Sequence, residues 1–514
     1  MIQFRNRRIR TGSAESSLAR VSSKLKRPEG GNFVIGRFAI SCAVLAIVLP
    51  LAAGSARAQA GPSPGSVSGA PAPQGALLGS VPDKLVPGVL QISLQDAIQR
   101  GLKQNLGLLL SGEDVRAARG ERWKQLSALL PNITTSSYVQ GSQVDLAEFG
   151  FSFKLPPSAG FSIPSVVGPF GYFDSRAYLT QSIFDWKAIN NSRSASQSEK
   201  SAQYTYKDTR DLVILAVGYT YLQAIADEAR IETADAQVKT AQALYNQASD
   251  QVKAGTSPAI DALRADVELK SRQQGLIQAK NDFAIEKLAL ARVIGLAPGQ
   301  EFELTDKSPY EPFAGLTVDE ALKHAYASRS DFQAALADVR AAEYGRKSAD
   351  AGYLPSLSFS ADYGLAGTEQ GLNTHGVLDV KGSLTIPIFQ GGKVHGDVLE
   401  ASARLEQSRQ RLENLRGQID DDVRTALLNL QSAEELVAVA QSNIELAEQT
   451  LAQSRDRFSA GVTDTVEVVQ AQEAVASAHE SYISSLYSDN YAKISLARAL
   501  GLAEEGVKEY FKGK

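Results

Sequence analysis

The chain has 514 residues, of which 43% are hydrophobic and 21% charged, so it can bury a large core and is not disordered throughout. A net charge of −4 gives no reason to expect nucleic acid as a partner. The single cysteine, Cys42, excludes a disulfide framework and a zinc ribbon, and the four histidines lack the spacing of metal ligands. We therefore expect no metal site and no cofactor, and no constellation of catalytic residues supports an enzyme.

The N-terminus has the order of a secretory signal peptide. Basic residues are frequent up to Arg37, an apolar run covers residues 38–53, and Ala56-Arg57-Ala58 is a small-x-small cleavage pattern. The alternative is a single anchoring helix, but the run is shorter than the about 20 residues that a membrane span needs. We predict a signal peptide over residues 1–58, cleaved after Ala58, and hence an exported protein.

Residues 59–90 are dominated by glycine, proline, serine and alanine, which predicts a flexible linker. No later segment approaches about 18 uninterrupted apolar residues. We therefore expect no transmembrane helix after the signal peptide.

Short motifs after the linker occur twice at nearly constant offsets, 224 residues for the first markers and 205 or 206 for the later ones. The matched markers are Ser93 with Thr317, Asp96 with Glu320, Leu130-Pro131 with Leu354-Pro355, Leu179-Thr180 with Leu384-Thr385, Ala254-Gly255 with Ala460-Gly461, and Gly295 with Gly501. Two such long copies do not form a solenoid. We predict one structural unit written twice, as a first repeat (residues 91–299) with a longer loop near residues 149–171, and a second repeat (residues 300–514).

Each repeat reads as a helix, two strands, a long helix, a tight turn and a helix. Apolar residues recur every three or four positions over residues 412–451, which is the coiled-coil period. A long helix over residues 188–254 would measure about 100 Å and a returning helix over residues 258–294 about 55 Å. The helix that opens the second repeat, residues 317–353, is equally short. One long helix therefore spans two short ones, and residues 297–315 form the junction between them.

Four segments alternate apolar and polar residues with the period of a β-strand: residues 133–140, 172–184, 357–363 and 378–388. Strands of about 10 residues with this alternation are typical of outer-membrane proteins. Residues 138–186 also hold 11 of the 37 aromatic residues, and aromatic residues gather at membrane interfaces. A soluble β-layer is the alternative.

Four strands are too few to close a membrane barrel, because the smallest barrels have about eight. An open sheet edge in lipid would leave backbone groups without hydrogen-bond partners. We therefore expect several chains to share one barrel. The predicted fold class is mainly α, with a transmembrane β part.

The sequence resembles the TolC-type outer membrane efflux protein family, the outer membrane factors of tripartite export systems, over about residues 91–506. The marks are the duplicated capped helix that ends in Leu-Pro, the strand exit Pro387-Ile388-Phe389-Gln390-Gly391-Gly392, the Ala-Gly hairpin turns and the Gly-Leu ends. Their order, found twice, carries the resemblance.

The resemblance implies a homotrimer in the outer membrane that extends into the periplasm. Three chains would form a long α-helical coiled-coil barrel and a shared twelve-stranded β-barrel in outer-membrane lipid. Such a channel-tunnel conducts substrates passively in efflux or type I secretion, together with a periplasmic adaptor (membrane fusion) protein and an inner-membrane pump of RND, ABC or MFS type. The alternative is a periplasmic coiled-coil scaffold that never enters a membrane.

The resemblance also implies working residues at the two hairpin turns. Gly255 with Thr256, and Gly461 with Val462, occupy the turns that contact the adaptor in relatives. Glycine suits a tight turn between helices because it accepts a positive φ.

Acidic residues ring the closed periplasmic aperture in relatives, and here Asp261 and Glu467 lie six positions after each glycine. A ring of such carboxylates from three copies would attract cations. The alternative is an exposed helix face near a helix N-terminus, where acids suit the dipole. Thr463 stands where some relatives have an aperture arginine. Phe458 is a candidate gating aromatic or, alternatively, the end of the coiled-coil seam.

Overall fold

The computed structural model describes residues 79–150, 164–306, 310, 312, 315–368 and 374–504, so the predicted signal peptide and the centre of the long loop lie outside the described residues. The helices are α1 (Leu94–Gln104), α2 (Leu106–Ser127), α3 (Trp186–Lys253), α4 (Ala259–Val293), α5 (Val318–Ser328), α6 (Ser330–Asp350), α7 (Lys393–Ser459) and α8 (Thr465–Ala499). The strands are β1 (Leu90–Ile92), β2 (Asn132–Asp145), β3 (Val166–Phe184), β4 (Phe302–Leu304), β5 (Ser356–Gly367) and β6 (Thr374–Thr385).

The two long helices, α3 and α7, have 68 and 67 residues, and the returning helices α4 and α8 have 35 residues each. The lengths predicted from the sequence for α3 and α4, over residues 188–254 and 258–294, are thereby confirmed. The first half of α3 packs against α2 and α6, and its second half packs against α4. Each long helix therefore spans two short ones.

Both repeats begin at the predicted capping boxes. The Oγ of Ser93 accepts a hydrogen bond from the N–H of Asp96 at 3.1 Å, and the Oγ1 of Thr317 accepts one from the N–H of Glu320 at 3.4 Å. These bonds satisfy N–H groups that have no partner inside the helix. The two helix starts are local features, and the sequence predicted both.

The prediction of one continuous helix from Thr317 to Tyr353 is wrong, because the helix is interrupted at Arg329, between α5 and α6. Arg329 is extended, with φ −61° and ψ 122°, and Asn105 breaks the first repeat in the same way, with φ −63° and ψ 125°. The side chain of Asn105 then caps α2 by accepting a hydrogen bond from the N–H of Leu108 at 3.1 Å. The apolar spacing continues across both breaks, so periodicity did not reveal them.

The strands of both repeats form one antiparallel sheet in the order β2-β3-β5-β6. β2 continues to Asp145, beyond the predicted end. β6 ends at Thr385, so Ile386 and Ile388, predicted to lie in a strand, follow it. The reason is Pro387, whose nitrogen carries no hydrogen for the strand ladder.

A second, parallel sheet of two short strands joins β1 to β4 and was not predicted. Ile92 and Phe302 are buried against the middle of α3, and the hydroxyl of Tyr221 donates a hydrogen bond to the carbonyl oxygen of Ile92 at 3.0 Å. Burial raises the pKa of the Tyr221 hydroxyl. Strands of three residues are too short to show an alternation, so this sheet has no clear sequence signal.

The last residues of the predicted linker contact the first repeat. The N–H of Val81 donates to the carbonyl oxygen of Gln104 at 2.8 Å, and the N–H of Asp83 donates to that of Gly295 at 2.9 Å. These backbone bonds hold the segment that leads into β1 against the ends of α1 and α4.

Buried apolar side chains form one cluster at the middle of α3, a second at the middle of α7 and a third near the hairpin turns. Many residues of the predicted coiled-coil seam of α7 are buried: Leu412, Ile419, Val423, Ala426, Leu430, Ala433, Val437 and Ala440. Among the described helices, α3 alone contains a window long and apolar enough to cross a membrane, and 56% of that window is buried in the chain. A core helix meets the same test.

Candidate functional site: a two-faced sheet and two hairpin turns

The strand register gives the four-stranded sheet one apolar face. Thr135, Ala177, Tyr363 and Leu378 lie side by side in one row across it, and no charged residue belongs to this face between the strand ends. Its large side chains are exposed in the single chain, among them Ile133 (70%), Tyr363 (66%), Leu378 (70%), Val380 (60%) and Leu384 (63%). A soluble protein rarely leaves so large an apolar surface in water.

The opposite face is polar. Thr134, Tyr178, Asp362 and Asp379 form the row next to the apolar row just described. Five charged side chains lie on this face: Asp174, Arg176, Asp362, Asp379 and Lys381. A sheet with one apolar and one charged face suits a barrel wall between lipid and an aqueous lumen.

The two hairpin turns have the same backbone. Gly255 has φ +74° and Gly461 has φ +70°, and each follows a long helix. The N–H of Thr256 donates to the carbonyl oxygen of Gln251 at 2.9 Å, as the N–H of Val462 does to that of Arg457 at 3.0 Å. This six-to-one bond is the mark of a helix that ends at a left-handed glycine.

Thr256 and Val462, the residues next to the turn glycines, are exposed at the ends of the hairpins. Val462 is 69% exposed, although its side chain is apolar. The four predicted adaptor-contact residues thus lie at two chain reversals of equal geometry. Their role stays a prediction.

Asp261 lies in the first turn of α4 and is only 5% exposed. Its Oδ2 accepts a hydrogen bond from the Oγ of Ser257 at 2.7 Å, and the guanidinium of Arg264 lies 3.7 Å from its Oδ1. The carboxylate is therefore held inside the first repeat rather than presented freely.

Glu467 lies in the first turn of α8 and is half-buried. The Arg457 guanidinium lies 3.1 Å from its Oε1, and the hydroxyl of Thr463 donates a hydrogen bond to its Oε2. The structure thus brings together two predicted aperture residues, Thr463 and Glu467. Asp261 does not join them, because its partners are Ser257 and Arg264.

Sequence reasoning missed Arg457 and Arg264, the cations that approach the two carboxylates. Arg457 lies in the last turn of α7, where a cation also suits the helix dipole, and four positions before Gly461. A search for arginines within one helical turn of each hairpin glycine would have found it. Among the described residues no group of three or more His, Cys, Asp or Glu side chains could hold a metal ion.

Phe458 is 4% exposed and packs in the third apolar cluster. Its neighbours there come from three other helices: Leu244, Ala248, Ala265 and Val468. In this position the ring joins the two hairpins, which supports the seam interpretation over the gating one.

Long antiparallel helices joined to a sheet with one apolar and one charged face are typical of a class of channel-forming proteins. In this class a membrane sheet continues into a helical conduit. The model of the outer membrane efflux protein family matches residues 97–296 and 321–502, and the chain belongs to this family. The two matched segments fall in the two repeats.

The sequence of the chain is similar to those of secretion and outer-membrane proteins. The chain is 23% identical to the alkaline protease secretion protein AprF of Pseudomonas aeruginosa over 345 residues, and 23% identical to the outer membrane protein TolC of Escherichia coli over 346 residues. Each match covers 64% of this chain and 69% of the relative. The outer membrane protein VceC of Vibrio cholerae has the same fold, with a TM-score of 0.67 at 17% identity over 79% of this chain and 96% of that chain. The chain is an outer-membrane channel component of an efflux or secretion system.

Proposed function

We propose that three copies of the chain form a homotrimeric channel-tunnel, with one twelve-stranded barrel in outer-membrane lipid and one helical tunnel in the periplasm. The observation that carries this proposal is the separation of the sheet into an apolar and a charged face. A passive conduit needs a wall of this kind and needs no catalytic group.

Strand count and direction support closure by three copies. β2 and β6 are the edges of the sheet and run antiparallel to each other, so β6 of one copy can pair with β2 of the next. Two copies would give eight strands, whose interior is filled by side chains, whereas three give twelve and leave a pore.

Like the sheet, the layer of long helices has two outer edges that, within the described part of the chain, contact no other helix on one side. α3 and α8 pack against each other, and α4 and α7 flank them. Both flanking helices carry exposed apolar side chains, which on α4 are Ile260, Leu263, Val267, Ile277, Ile285 and Leu288, and on α7 Leu428, Leu436, Val439 and Leu446. A second copy that pairs its β2 with β6 also brings its α4 toward this α7. A single side-by-side contact between copies would therefore cover the sheet edges β2 and β6 and the outer helices α4 and α7.

The competing periplasmic scaffold would leave the apolar sheet face in water. Burial of apolar surface stabilises by roughly 25 cal/mol per Å². A scaffold could therefore exist only if another layer covered Ile133, Tyr363 and Leu378. Lipid covers them without a further layer, which favours the channel.

The names of the relatives support the partners in this proposal. AprF is called a secretion protein and TtgC of Pseudomonas putida a toluene efflux pump outer membrane protein. A periplasmic adaptor would contact the exposed turns at Gly255, Thr256, Gly461 and Val462, and it would link them to an inner-membrane pump of RND, ABC or MFS type.

Adjacent threonines in β2 allow a matched test of the two faces. Thr135 lies on the apolar face and Thr134 on the charged face. A lysine on the lipid face of a barrel costs about 2–4 kcal/mol near the bilayer centre, so Thr135→Lys should remove the chain from the outer-membrane fraction. Thr134→Lys should remain there as a detergent-dependent trimer, as measured by light scattering with detergent subtracted. Equal tolerance of both variants in a protein that is soluble without detergent would support the scaffold.

The tip carboxylates are part of the proposal. Asp261→Ala combined with Glu467→Ala should raise the leak conductance of the trimer in planar bilayers, because the ion pair of Glu467 with Arg457 and the bond of Asp261 to Ser257 are both lost. The control is Asp250→Ala, an exposed acid in the last turns of α3. Unchanged conductance and ion selectivity in the double variant would contradict an aperture at these residues.

A further inference from the structure

The charged residues of the four strands are concentrated in one part of the polar face of the sheet. Apart from Asp145, the last residue of β2, every Asp, Glu, Lys and Arg of the four strands lies on this face. Their strand positions fall in four successive rows of this face, which alternate with rows of the apolar face. We call this set the charged belt: Asp174, Arg176, Asp362, Asp379 and Lys381.

One part of the belt is neutralised internally. The Nη2 of Arg176 lies 2.7 Å from Asp174 Oδ2, and its Nη1 lies 3.0 Å from Asp362 Oδ1 on the neighbouring strand. The hydroxyl of Tyr172 donates a further hydrogen bond to Asp174 at 3.1 Å, and Asp174 is only 2% exposed. One arginine thus holds two carboxylates across β3 and β5, which leaves one negative charge.

The other part of the belt is open to the lumen side. Asp379 and Lys381 on β6 are exposed, and among the described residues neither forms an ion pair. They can be changed without breaking the bonds of Arg176. The belt as a whole has three carboxylates and two cations, a net charge of −1 per chain.

A net charge of this size acts on ions in a barrel of this width. Twelve strands spaced about 4.8 Å apart and tilted by about 40° give a radius of roughly 12 Å, and side chains narrow the passage further. Ions then pass within about one Debye length of the belt at 0.1 M salt, so the charges are only partly screened.

We propose that the charged belt is a charge filter inside the outer-membrane barrel that favours small cations and cationic substrates. It is separate from the carboxylates at the periplasmic turns. The inference rests on the proposed trimeric barrel, which turns the charged face inward and multiplies the belt by three.

The test uses the purified full-length trimer in planar bilayers under a KCl gradient, with reversal potential as the readout. Lys381→Gln makes the belt more negative and should raise the cation-to-anion permeability ratio about twofold, while Asp379→Asn should lower it by a similar factor. Ser383→Asn, on the same face of the same strand, changes no charge and should leave the ratio unaltered. Each variant is also measured with Asp261→Asn and Glu467→Gln present, which removes the tip charges.

Opposite shifts for Lys381→Gln and Asp379→Asn, kept in the background without tip charges and reduced at 1 M salt, support the filter, because the Debye length is then about 3 Å. Shifts in one direction, no shifts, or shifts that vanish without the tip charges overturn it. A wild-type preparation that forms no trimer or conducts no current would instead contradict the proposed channel, and the filter with it.

Discussion

At the end of α3 the chain reverses through Gly255, and at the end of α7 it reverses through Gly461 with the same hydrogen bonds. The acidic residue six positions later has different surroundings in the two repeats. Asp261 is buried, accepts a hydrogen bond from Ser257 and has an arginine at 3.7 Å. Glu467 is half-buried, accepts a hydrogen bond from Thr463 and has an arginine at 3.1 Å.

The breaks in the opening helices also differ. Asn105 is fully buried and caps the next helix with a neutral side chain. Its counterpart Arg329 is 5% exposed, and its guanidinium lies 2.7 Å from Asp331 Oδ2 and 2.9 Å from Asp422 Oδ2. The duplicated backbone has thus kept its dihedral angles while its polar partners changed.

At the breaks the first repeat uses a neutral helix cap and the second uses ion pairs. At the turns each carboxylate has a hydroxyl donor and an arginine, but the arginine lies closer to Glu467 than to Asp261. A buried ion pair is sensitive to the loss of one partner, because the other charge is then left in a poor solvent. An exposed pair contributes little. The consequences of substitution should therefore differ between matched positions of the two repeats.

The largest difference is expected near the turns, at Phe458 and its counterpart Val252, which is half-buried. Phe458→Ala should destabilise the fold by about 3–5 kcal/mol, because it leaves a cavity between the two hairpins. Val252→Ala should cost about 1 kcal/mol. Thermal unfolding in detergent, followed by circular dichroism, compares the two. Equal costs would contradict a joint apolar cluster at the turns.

At the breaks, Arg329→Ala should destabilise by about 3 kcal/mol, since the mostly buried Asp331 loses its cation, whereas the half-exposed Asp422 adds little. Asn105→Ala, which removes a helix cap, should cost about 1–2 kcal/mol. Urea unfolding at one fixed protein concentration gives both values. Arg329→Met is the control, because it keeps the packing of the side-chain stem. If Arg329→Met is as stable as wild type, the ion pairs are not what stabilises this break.

A contact between the repeats gives a pH-dependent test. Burial raises the pKa of the Asp211 carboxyl on α3 to about 6, with Arg498 of α8 acting in the opposite direction. The folded chain then binds a proton more tightly than the unfolded chain, so stability falls as the pH rises from about 4 to about 6. Asp211→Asn should flatten this slope and stabilise the fold at pH 7 by about 2 kcal/mol.

Thermal unfolding at pH 4.5 and pH 7.5 measures this effect. Glu406→Gln, at an exposed position of α7, is the matched control and should keep the wild-type slope. A wild-type protein that becomes more stable between these two pH values, with no change in Asp211→Asn, would contradict the burial of this carboxyl.

The smallest effects are expected at the tip carboxylates. Ser257→Ala removes a hydrogen bond from the buried Asp261 and should cost about 1–2 kcal/mol. Arg457→Gln removes the partly exposed pair with Glu467 and should cost less than about 1 kcal/mol. Amide hydrogen exchange near each turn would show the order. Greater opening near Gly461 in Arg457→Gln than near Gly255 in Ser257→Ala would reverse the comparison.

The sequence by itself determined the features that depend on neighbours along the chain. These are the duplicated markers, the lengths of α3 and α4, the capping boxes at Ser93 and Thr317, and the hairpin glycines. Alternation in the strands also predicted two faces, because successive strand residues point to opposite sides. Each of these signals lies within a few residues of the element that it specifies.

Only the tertiary structure decided which distant groups meet. The pairing of β1 with β4 joins segments about two hundred residues apart, and three-residue strands carry no periodic signal. The breaks at Asn105 and Arg329 do not interrupt the apolar spacing, so they become visible only in the backbone dihedral angles. The pairing of Arg457 on α7 with Glu467 on α8, and of Arg176 on β3 with Asp362 on β5, depends on packing between helices or strands. A side chain's own sequence position does not specify that packing.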